Sequence, residues 1–351
     1  MNTIASRTSN VHIVETKELP SPRVLCDDIP HTETQNEFVS QSRQIISDIL
    51  QGDDPRFLMV IGPCSIHDVK AGREYAEKLA EISQEISDVI YPVMRVYFEK
   101  PRTTVGWKGL IMDPHLDETN DIAAGLAEAR RFLRQVVDCG LPTATELLDP
   151  ITPQYIADLI SWSAIGARTT ESQIHRQMAS GLSMPLGFKN GTDGNVAAAL
   201  NAIEAGLQPQ SFLGVSEEGV ASAVSTTGNP DCHIILRGGA AGPNYDADSI
   251  KATLNLLEGR ELPTGIMVDA SHGNSSKDYR RQPGVLESVI EQRRNGQKAL
   301  VAAMVESNLV EGNQKFPRPK EELVYGQSIT DGCIGWDATE KLLRDCAEQL
   351  R

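Results

Sequence analysis

The chain has 351 residues, of which 40% are hydrophobic and 23% charged, and its formal net charge of −15 disfavours nucleic-acid binding, because phosphate backbones attract basic surfaces. It contains no apolar run of the roughly 18 residues that a membrane span needs, and the polar residues 1–10 contain no apolar signal segment. The six cysteines are scattered without a CxxC pair, which disfavours a zinc ribbon or a disulfide scaffold and predicts a cytoplasmic protein.

The N-terminal 52 residues differ in pattern from the rest of the chain. Residues 1–33 include three prolines and predict an irregular arm, whereas residues 33–51 show the apolar spacing of a helix. We expect residues 1–52 to form an arm and helix that serve assembly or regulation, and residues 53–351 to form the catalytic domain.

Eight short apolar runs alternate with amphipathic segments after Gly52. The runs are 57–62, 90–98, 142–147, 164–167, 185–188, 233–236, 265–268 and 299–305, and the helical segments include 121–139, 153–162, 194–205, 247–258 and 284–295. This alternation is typical of βαβ units, and eight strands predict an α/β fold of the (β/α)8 TIM-barrel type. The alternative is an open doubly wound sheet, whose dinucleotide-binding form is disfavoured because no GxGxxG follows an early strand.

One segment interrupts the alternation between the fifth and sixth predicted strands. Residues 212–215 and 220–225 flank Ser216–Gly219 and predict an inserted β-hairpin at about 212–226. An extra element of this kind lies outside the barrel. It is a candidate for regulation or assembly, with plain decoration as the alternative.

Basic side chains follow several of the predicted strands, with Glu146 after the third. They are Arg95, Lys100, Arg102, Arg168, Lys189 and Arg237. In a barrel the carboxyl ends of the strands meet at one mouth, where active sites lie. Each charge alone can mark a strand reaching water, but so many cations in one mouth are electrostatically costly without anions. The set therefore predicts ligands with at least two anionic groups, since Arg and Lys bind phosphate and carboxylate.

A second group of strand ends carries metal-type ligands. Cys64, His272 and Glu306 follow the first, seventh and eighth runs, and either Asp331 or Asp269 completes the set. A thiolate, an imidazole and carboxylates suit a divalent transition metal. Asp269 is alternatively a hydrogen-bond partner of His272. Taken singly, a buried structural cysteine and a satisfied polar histidine are the more common interpretations.

Seven segments resemble the 3-deoxy-D-arabino-heptulosonate 7-phosphate (DAHP) synthase family in its class I short form. They are IGPCSIHD (61–68), MRVYFEKPRTTVGWKG (94–109), IGARTTES (165–172), GFKNGTDG (187–194), HIILRGG (233–239), SHGNSSK (271–277) and ESNLVEGNQ (306–314). The resemblance covers the chain from about residue 40 to its end. It implies a metal-dependent condensation of phosphoenolpyruvate with D-erythrose 4-phosphate and water, giving DAHP and phosphate, the first step of the shikimate pathway.

The resemblance also implies the roles of individual residues. The implied metal ligands are Cys64, His272, Glu306 and Asp331, for Mn, Fe, Co or Zn. The implied phosphoenolpyruvate contacts are Arg95, Lys100, Arg168, Lys189 and Arg237, with Glu146 nearby, and those to erythrose 4-phosphate are Lys100, Pro101, Arg102 and Thr103. The implied catalytic residues are Lys100, Cys64 and His272. We expect Lys100 to protonate the developing alkoxide, and the metal to act as a Lewis acid on the sugar aldehyde.

Members of this family are inhibited by aromatic amino acids, which implies an inhibitor pocket outside the barrel. Its residues here are Pro153, Gln154, Met178, Ser183, Phe212, Gly214 and Val224. Gly214 replaces a serine typical of phenylalanine-sensitive members and leaves room for a phenolic hydroxyl, so we expect tyrosine inhibition, with phenylalanine as the alternative. The resemblance further implies a homodimer or homotetramer.

Three other functions remain open from the sequence. One is the related 3-deoxy-octulosonate 8-phosphate synthase, which takes arabinose 5-phosphate. Another is a Schiff-base aldolase that uses Lys189. The third is a non-catalytic sugar-phosphate sensor, which the intact set of metal-type ligands disfavours.

Overall fold

The computed structural model describes residues 8–102 and 104–351. The helices are α1 (Pro22–Asp28), α2 (Glu33–Gln51), α3 (Val69–Ile86), α4 (Ile122–Asp138), α5 (Pro153–Ile156), α6 (Gln173–Ala179), α7 (Ala197–Leu207), α8 (Ala247–Glu258), α9 (Gln282–Arg294) and α10 (Trp336–Leu350). The strands are β1 (Phe57–Gly62), β2 (Ile90–Arg95), β3 (Thr143–Glu146), β4 (Trp162–Ile165), β5 (Leu186–Lys189), β6 (Ser211–Val215), β7 (Ala221–Ser225), β8 (Cys232–Leu236), β9 (Ile266–Asp269), β10 (Leu300–Glu306), β11 (Val310–Asn313) and β12 (Gln327–Ser328).

Eight parallel strands close into a barrel in the order β1-β2-β3-β4-β5-β8-β9-β10. Helices connect successive strands, so the predicted (β/α)8 fold is confirmed. In the closing pair, Gly62 of β1 lies opposite Glu306 of β10. This register brings the loop that carries Cys64 next to the end of β10.

The amino end of the barrel is closed by α2. Ile46, Ile49 and Leu50 of this helix pack with inward-facing strand residues such as Leu58 and Val60. The alternate residues of the strands face the surrounding helices and form the larger core. The helix therefore packs as part of the barrel core.

The inserted hairpin consists of β6 and β7, which pair in antiparallel register and form a separate two-stranded sheet. Its bounds agree with the sequence prediction to within one residue at each end. A second small sheet, β11 with β12, follows the barrel and was not predicted. None of the helices in the described residues is long and apolar enough to cross a membrane.

Two segments differ from the sequence predictions. The expected irregular arm contains α1, in which Pro22 occupies the first turn and the Ser21 hydroxyl accepts a hydrogen bond from the Val24 amide. The helix expected at 153–162 ends after α5 and one 3-10 turn. The Arg43 side chain donates to the carbonyls of Ala157 and Ile160, which replaces the backbone bonds of a continued helix.

Candidate active site at the barrel mouth

A cavity of about 970 Å³ opens at the carboxyl end of the barrel strands. Arg168, Arg237, His272, Glu306 and Asp331 all line it. These residues come from loops or strand ends that are far apart in the sequence. The topology of the barrel therefore collects residues from both predicted groups into one cavity, as in the active face of other TIM barrels.

Three metal-type ligands lie together at this mouth. The ligand atoms of Cys64, Glu306 and Asp331 all lie within 4.8 Å of one another. The Cys64 thiol donates to Oδ2 of Asp331 across 3.8 Å. A sulfur and two carboxylates at this spacing fit a divalent transition cation. The structure places Asp331 in this group, and it places Asp269 behind His272 instead.

His272 lines the same cavity but stands outside that close group. Its Nδ1 lies 2.9 Å from Oδ2 of Asp269, which leaves Nε2 as the nitrogen available to a ligand. Its backbone has a φ of 54°, in the left-handed region, and its carbonyl accepts from the Lys277 amide. Backbone strain of this kind is common at functional sites.

Arg95 and Lys100 both contact residues of the metal-type group. Arg95 is fully buried, and its Nη2 donates to Oε1 of Glu306 across 3.2 Å. The Nζ of Lys100 donates to the sulfur of Cys64 across 3.2 Å and to the Cys64 carbonyl across 3.1 Å. The predicted basic group and the predicted metal-type group are therefore in direct contact.

One nitrogen of the Arg95 guanidinium is available to a ligand. Among the described residues, its buried Nη1 has no hydrogen-bond partner. Buried donors are rarely left unpaired in native proteins, because an unmade hydrogen bond is costly. A ligand oxygen at this position would satisfy the donor.

The remaining cations approach the mouth from β4, β5 and β8. Lys189 is buried and pairs with Asp269 at 3.0 Å. Arg237 donates weakly to the Gly238 carbonyl, and Arg168 is exposed at the cavity wall. Both are thus free to turn toward an anion.

Glu146 at the end of β3 is buried, and its Oε1 occupies the space where a side chain at position 166 would lie. A Cβ on Gly166 would come within 2.2 Å of that oxygen. The glycine of the IGARTTES segment is therefore needed for close packing against this carboxylate.

The predicted erythrose 4-phosphate segment lies on a loop after β2. Pro101 is partly buried and Arg102 is exposed, with Arg102 Nε donating to the Trp107 carbonyl across 2.8 Å. Arg102 thus bonds its own loop and is absent from the cavity lining. Thr103 lies outside the described residues.

Electrostatics at the mouth are dominated by close anion–cation contacts. Burial lowers the pKa of Lys100, but the neighbouring Cys64 and Glu306 outweigh it, so this pKa is raised overall. The pKa of Lys189 is likewise raised despite burial, mainly by Asp269. Both ammonium groups are therefore charged at neutral pH.

The pKa values of two proposed metal ligands, Cys64 and Asp331, shift in opposite directions. Burial and the Glu306 carboxylate raise the pKa of Cys64 to about 11, while Lys100 acts against this rise. Burial also raises the pKa of Asp331, but Lys100 and His272 outweigh it and lower that pKa overall. Because metals bind the thiolate form of cysteine, a cation at this site would displace the Cys64 proton.

Two contributors were missed by the sequence interpretation. The Tyr97 ring lies 3.9 Å from the Arg95 guanidinium carbon and forms a cation–π platform beneath it. Gln282 makes two hydrogen bonds to the backbone of Glu306, of 2.7 and 3.0 Å. Tyr97 follows Arg95 by two residues, so strand alternation predicts a shared face, whereas no sequence signal marks Gln282.

A second cavity, of about 460 Å³, lies between the hairpin and the outside of the barrel. All the residues predicted for the inhibitor pocket line it, namely Pro153, Gln154, Met178, Ser183, Phe212, Gly214 and Val224. A Cβ on Gly214 would approach the Val224 side chain to 2.7 Å. Any side chain at position 214 would therefore narrow this cavity.

Comparison with known proteins gives a consistent result. Residues 28–344 match the model of the DAHP synthetase I family. The chain is 53% identical over 342 residues to the Tyr-sensitive phospho-2-dehydro-3-deoxyheptonate aldolase of Escherichia coli K12, covering 97% of this chain and 96% of that protein. It is 52% identical over 345 residues to the Phe-sensitive enzyme of the same organism, covering 98% of each.

A solved structure is also similar to this chain. The phospho-2-dehydro-3-deoxyheptonate aldolase of Francisella tularensis SCHU S4 superposes with a TM-score of 0.94 at 47% identity. The likeness covers 96% of this chain and 98% of that one.

Proposed function

The chain belongs to the DAHP synthetase I family, and we infer that the cavity at its barrel mouth condenses phosphoenolpyruvate with D-erythrose 4-phosphate and water. The products are DAHP and inorganic phosphate, and the reaction is the first step of the shikimate pathway. The observation that carries the assignment to this cavity is the cluster of buried cations beside Cys64, Glu306 and Asp331.

The cations match phosphoenolpyruvate, which carries a carboxylate and a phosphate. Arg95 has an unpaired buried donor among the described residues, and Arg168 and Arg237 border the cavity with their side chains available. Lys189 and Lys100 add two buried ammonium groups. Arginine forks and lysine point charges together suit a small ligand with two anionic groups.

We propose that Cys64, His272, Glu306 and Asp331 hold a divalent metal ion. The sulfur, imidazole and carboxylate donors fit Mn, Fe, Co or Zn. When bound, the ion supplies Lewis acidity to the aldehyde of erythrose 4-phosphate. Gln282, through its two bonds to the Glu306 backbone, fixes one of the ligands in place.

Lys100 is the proposed proton donor. Its ammonium is charged and buried beside Cys64, with anionic neighbours that keep it protonated. C3 of phosphoenolpyruvate attacks the aldehyde carbon, and the aldehyde oxygen takes the Lys100 proton as it becomes a hydroxyl. Water adds at C2 and releases one proton, which balances the proton taken from Lys100, and the resulting hemiketal phosphate forms the C2 ketone as inorganic phosphate leaves. The Lys100, Pro101, Arg102 and Thr103 segment is the proposed contact for erythrose 4-phosphate.

The second cavity is proposed to bind an aromatic amino acid that inhibits the enzyme. Relatives named Tyr-sensitive and Phe-sensitive are almost equally similar to this chain, so overall identity does not choose between them. The proposed inhibitor is tyrosine, because Gly214 lines this cavity without the serine side chain that is typical of phenylalanine-sensitive members. Inhibition by phenylalanine at a lower concentration than by tyrosine would contradict this choice.

A substrate test separates the proposed reaction from its rivals. Phosphate release is measured from phosphoenolpyruvate with Mn²⁺ and either erythrose 4-phosphate or arabinose 5-phosphate. We expect release with the four-carbon sugar, whereas preference for the five-carbon sugar would indicate the octulosonate enzyme. Borohydride should leave activity intact, because the proposed reaction forms no Schiff base; trapping on Lys189 would contradict it. Gel filtration with light scattering distinguishes the two proposed assemblies, a homodimer and a homotetramer.

A further inference from the structure

Asp269 forms a bridge between two parts of the barrel mouth. It ends β9 and is fully buried. A single carboxylate oxygen, Oδ2, lies 3.0 Å from Nζ of Lys189 and 2.9 Å from Nδ1 of His272. Lys189 belongs to the proposed phosphoenolpyruvate site and His272 to the proposed metal site.

The carboxylate cannot turn away from this position. Its other oxygen, Oδ1, accepts hydrogen bonds from the backbone amide of Ser271 at 3.0 Å and from its hydroxyl at 2.6 Å. The Asp269 carbonyl accepts from the side chain of Asn274 at 2.8 Å. With Oδ1 anchored, Oδ2 presents a fixed acceptor to both partners.

Lys189 differs from the other buried cations in how it reaches the metal-type residues. Arg95 contacts Glu306 directly, and Lys100 contacts Cys64 directly. The Lys189 ammonium pairs with Asp269 instead. Asp269 thus supplies the connection between this cation and His272.

We propose that Asp269 is a positioning residue on which the affinities for both phosphoenolpyruvate and the divalent metal depend. The proposal rests on the proposed function of the mouth. The carboxylate orients the imidazole so that Nε2 faces the cavity, and it fixes the ammonium of Lys189 beside it. Losing the charge would release both partners, because a buried ion pair that loses one member leaves the other uncompensated.

The test uses the variant Asp269→Asn, which keeps the size of the side chain and removes its charge. The asparagine amide has two possible orientations. In one, its NH₂ group faces the Lys189 ammonium and Nδ1 of His272; in the other, its NH₂ group faces the backbone amide of Ser271, which is also a donor. The dissociation constants for Mn²⁺, by competition with a chromogenic chelator, and for phosphoenolpyruvate, by calorimetry on metal-free protein, are each expected to rise by about tenfold or more. Asp231→Asn, the matched control, removes a carboxylate at the amino end of β8 that accepts from Ser47 and Gln51, and it is expected to change each constant by less than about threefold.

A folded Asp269→Asn protein that keeps both constants within about twofold would overturn the proposal, as would a change in only one of them. If this variant is unfolded by circular dichroism, Lys189→Gln tests the bridge from its other end. It should change the Mn²⁺ constant more than Arg237→Gln, which removes a cation that bonds Gly238 instead. Equal changes would overturn the proposal. A wild-type protein that binds neither ligand would instead contradict the proposed function.

Discussion

A buried histidine is neutral at the amino end of the barrel, whereas two buried lysines are charged at its carboxyl end. At the amino end, His233 accepts a hydrogen bond from the Trp162 indole, and burial lowers its pKa to about 4, so it is neutral. At the carboxyl end, Lys100 and Lys189 are also buried, yet their pKa values are raised. The difference lies in the neighbours, because the amino end is packed with apolar side chains and the mouth supplies carboxylates.

The two ends of the same strands are therefore expected to serve different purposes, folding stability at the amino end and activity at the mouth. Side chains at the amino end contribute to the free energy of folding, and those at the mouth are expected to contribute to ligand binding and chemistry. Lys100→Met and Ile46→Ala test this separation, and Gly214→Ser and Glu99→Gln extend the comparison to the second cavity and to a buried carboxyl beside the mouth, in order of decreasing expected effect.

Lys100→Met removes the proposed proton donor at the mouth. We expect kcat to fall by about 10²- to 10⁴-fold, the usual contribution of general acid catalysis, with little loss of thermal stability. Steady-state phosphate release measures the effect. Lys108→Met, on the exposed part of the same loop, is the control. Near wild-type turnover by Lys100→Met would refute the role.

Ile46→Ala removes a fully buried side chain at the amino end, where α2 closes the barrel. The cavity should cost about 2–5 kcal/mol of unfolding free energy while kcat per folded molecule stays unchanged. Denaturant unfolding and phosphate release are measured on the same preparation. Glu37→Ala, exposed on the same helix, should change neither. A loss of kcat without a loss of stability would break the separation of the two ends.

Gly214→Ser tests the second cavity, which lies outside both ends of the barrel. The new side chain presses on Val224 and narrows the pocket, so we expect tyrosine inhibition to weaken by about tenfold relative to phenylalanine inhibition. Inhibition curves for both amino acids measure the shift. Ala223→Ser adds a hydroxyl on an exposed hairpin residue outside the cavity lining and should leave both curves in place. An unchanged ratio in Gly214→Ser would place the inhibitor elsewhere.

Glu99 provides a pH-dependent test beside the mouth. Burial raises its pKa to about 8 although Leu148, Asp149 and Thr152 donate hydrogen bonds to it. A carboxyl whose folded pKa is raised stabilises the fold fully below its unfolded pKa, and this contribution is lost as the pH rises through about 8.

Thermal melting of Glu99→Gln measures this contribution. The wild type should lose melting temperature relative to the variant as the pH rises from about 5 to 9, because the amide does not ionise. Glu37→Gln, on an exposed residue, should follow the wild-type curve. Parallel curves for wild type and Glu99→Gln would show that Glu99 does not titrate in this range.

The barrel itself was predictable from the sequence, since the apolar runs of its strands follow a simple alternation. Trp162 was placed wrongly in a helix, because the helix is ended by Arg43, a distant partner that local spacing does not reveal. The convergence of Cys64 and Glu306 follows from strand order and register. The choice of Asp331 over Asp269 came from family resemblance, since spacing alone left both open.

Only half of the bridge at Asp269 was predictable: its hydrogen bond to His272 was one of the two sequence alternatives, whereas its ion pair with Lys189 was not foreseen. Its geometry depends on one oxygen that serves residues from two different strand ends. Such a shared contact has no signature in spacing or composition. The same is true of Gln282, which holds Glu306 from the start of α9.

The most direct test of the account is the rate of phosphate release from phosphoenolpyruvate and erythrose 4-phosphate by metal-free enzyme before and after addition of Mn²⁺. Activity should be absent in chelator, return with Mn²⁺ in the wild type, and fail to return in Cys64→Ala, which removes one proposed ligand. Full activity of the metal-free enzyme, or full recovery of Cys64→Ala, would contradict a metal-dependent reaction at the barrel mouth.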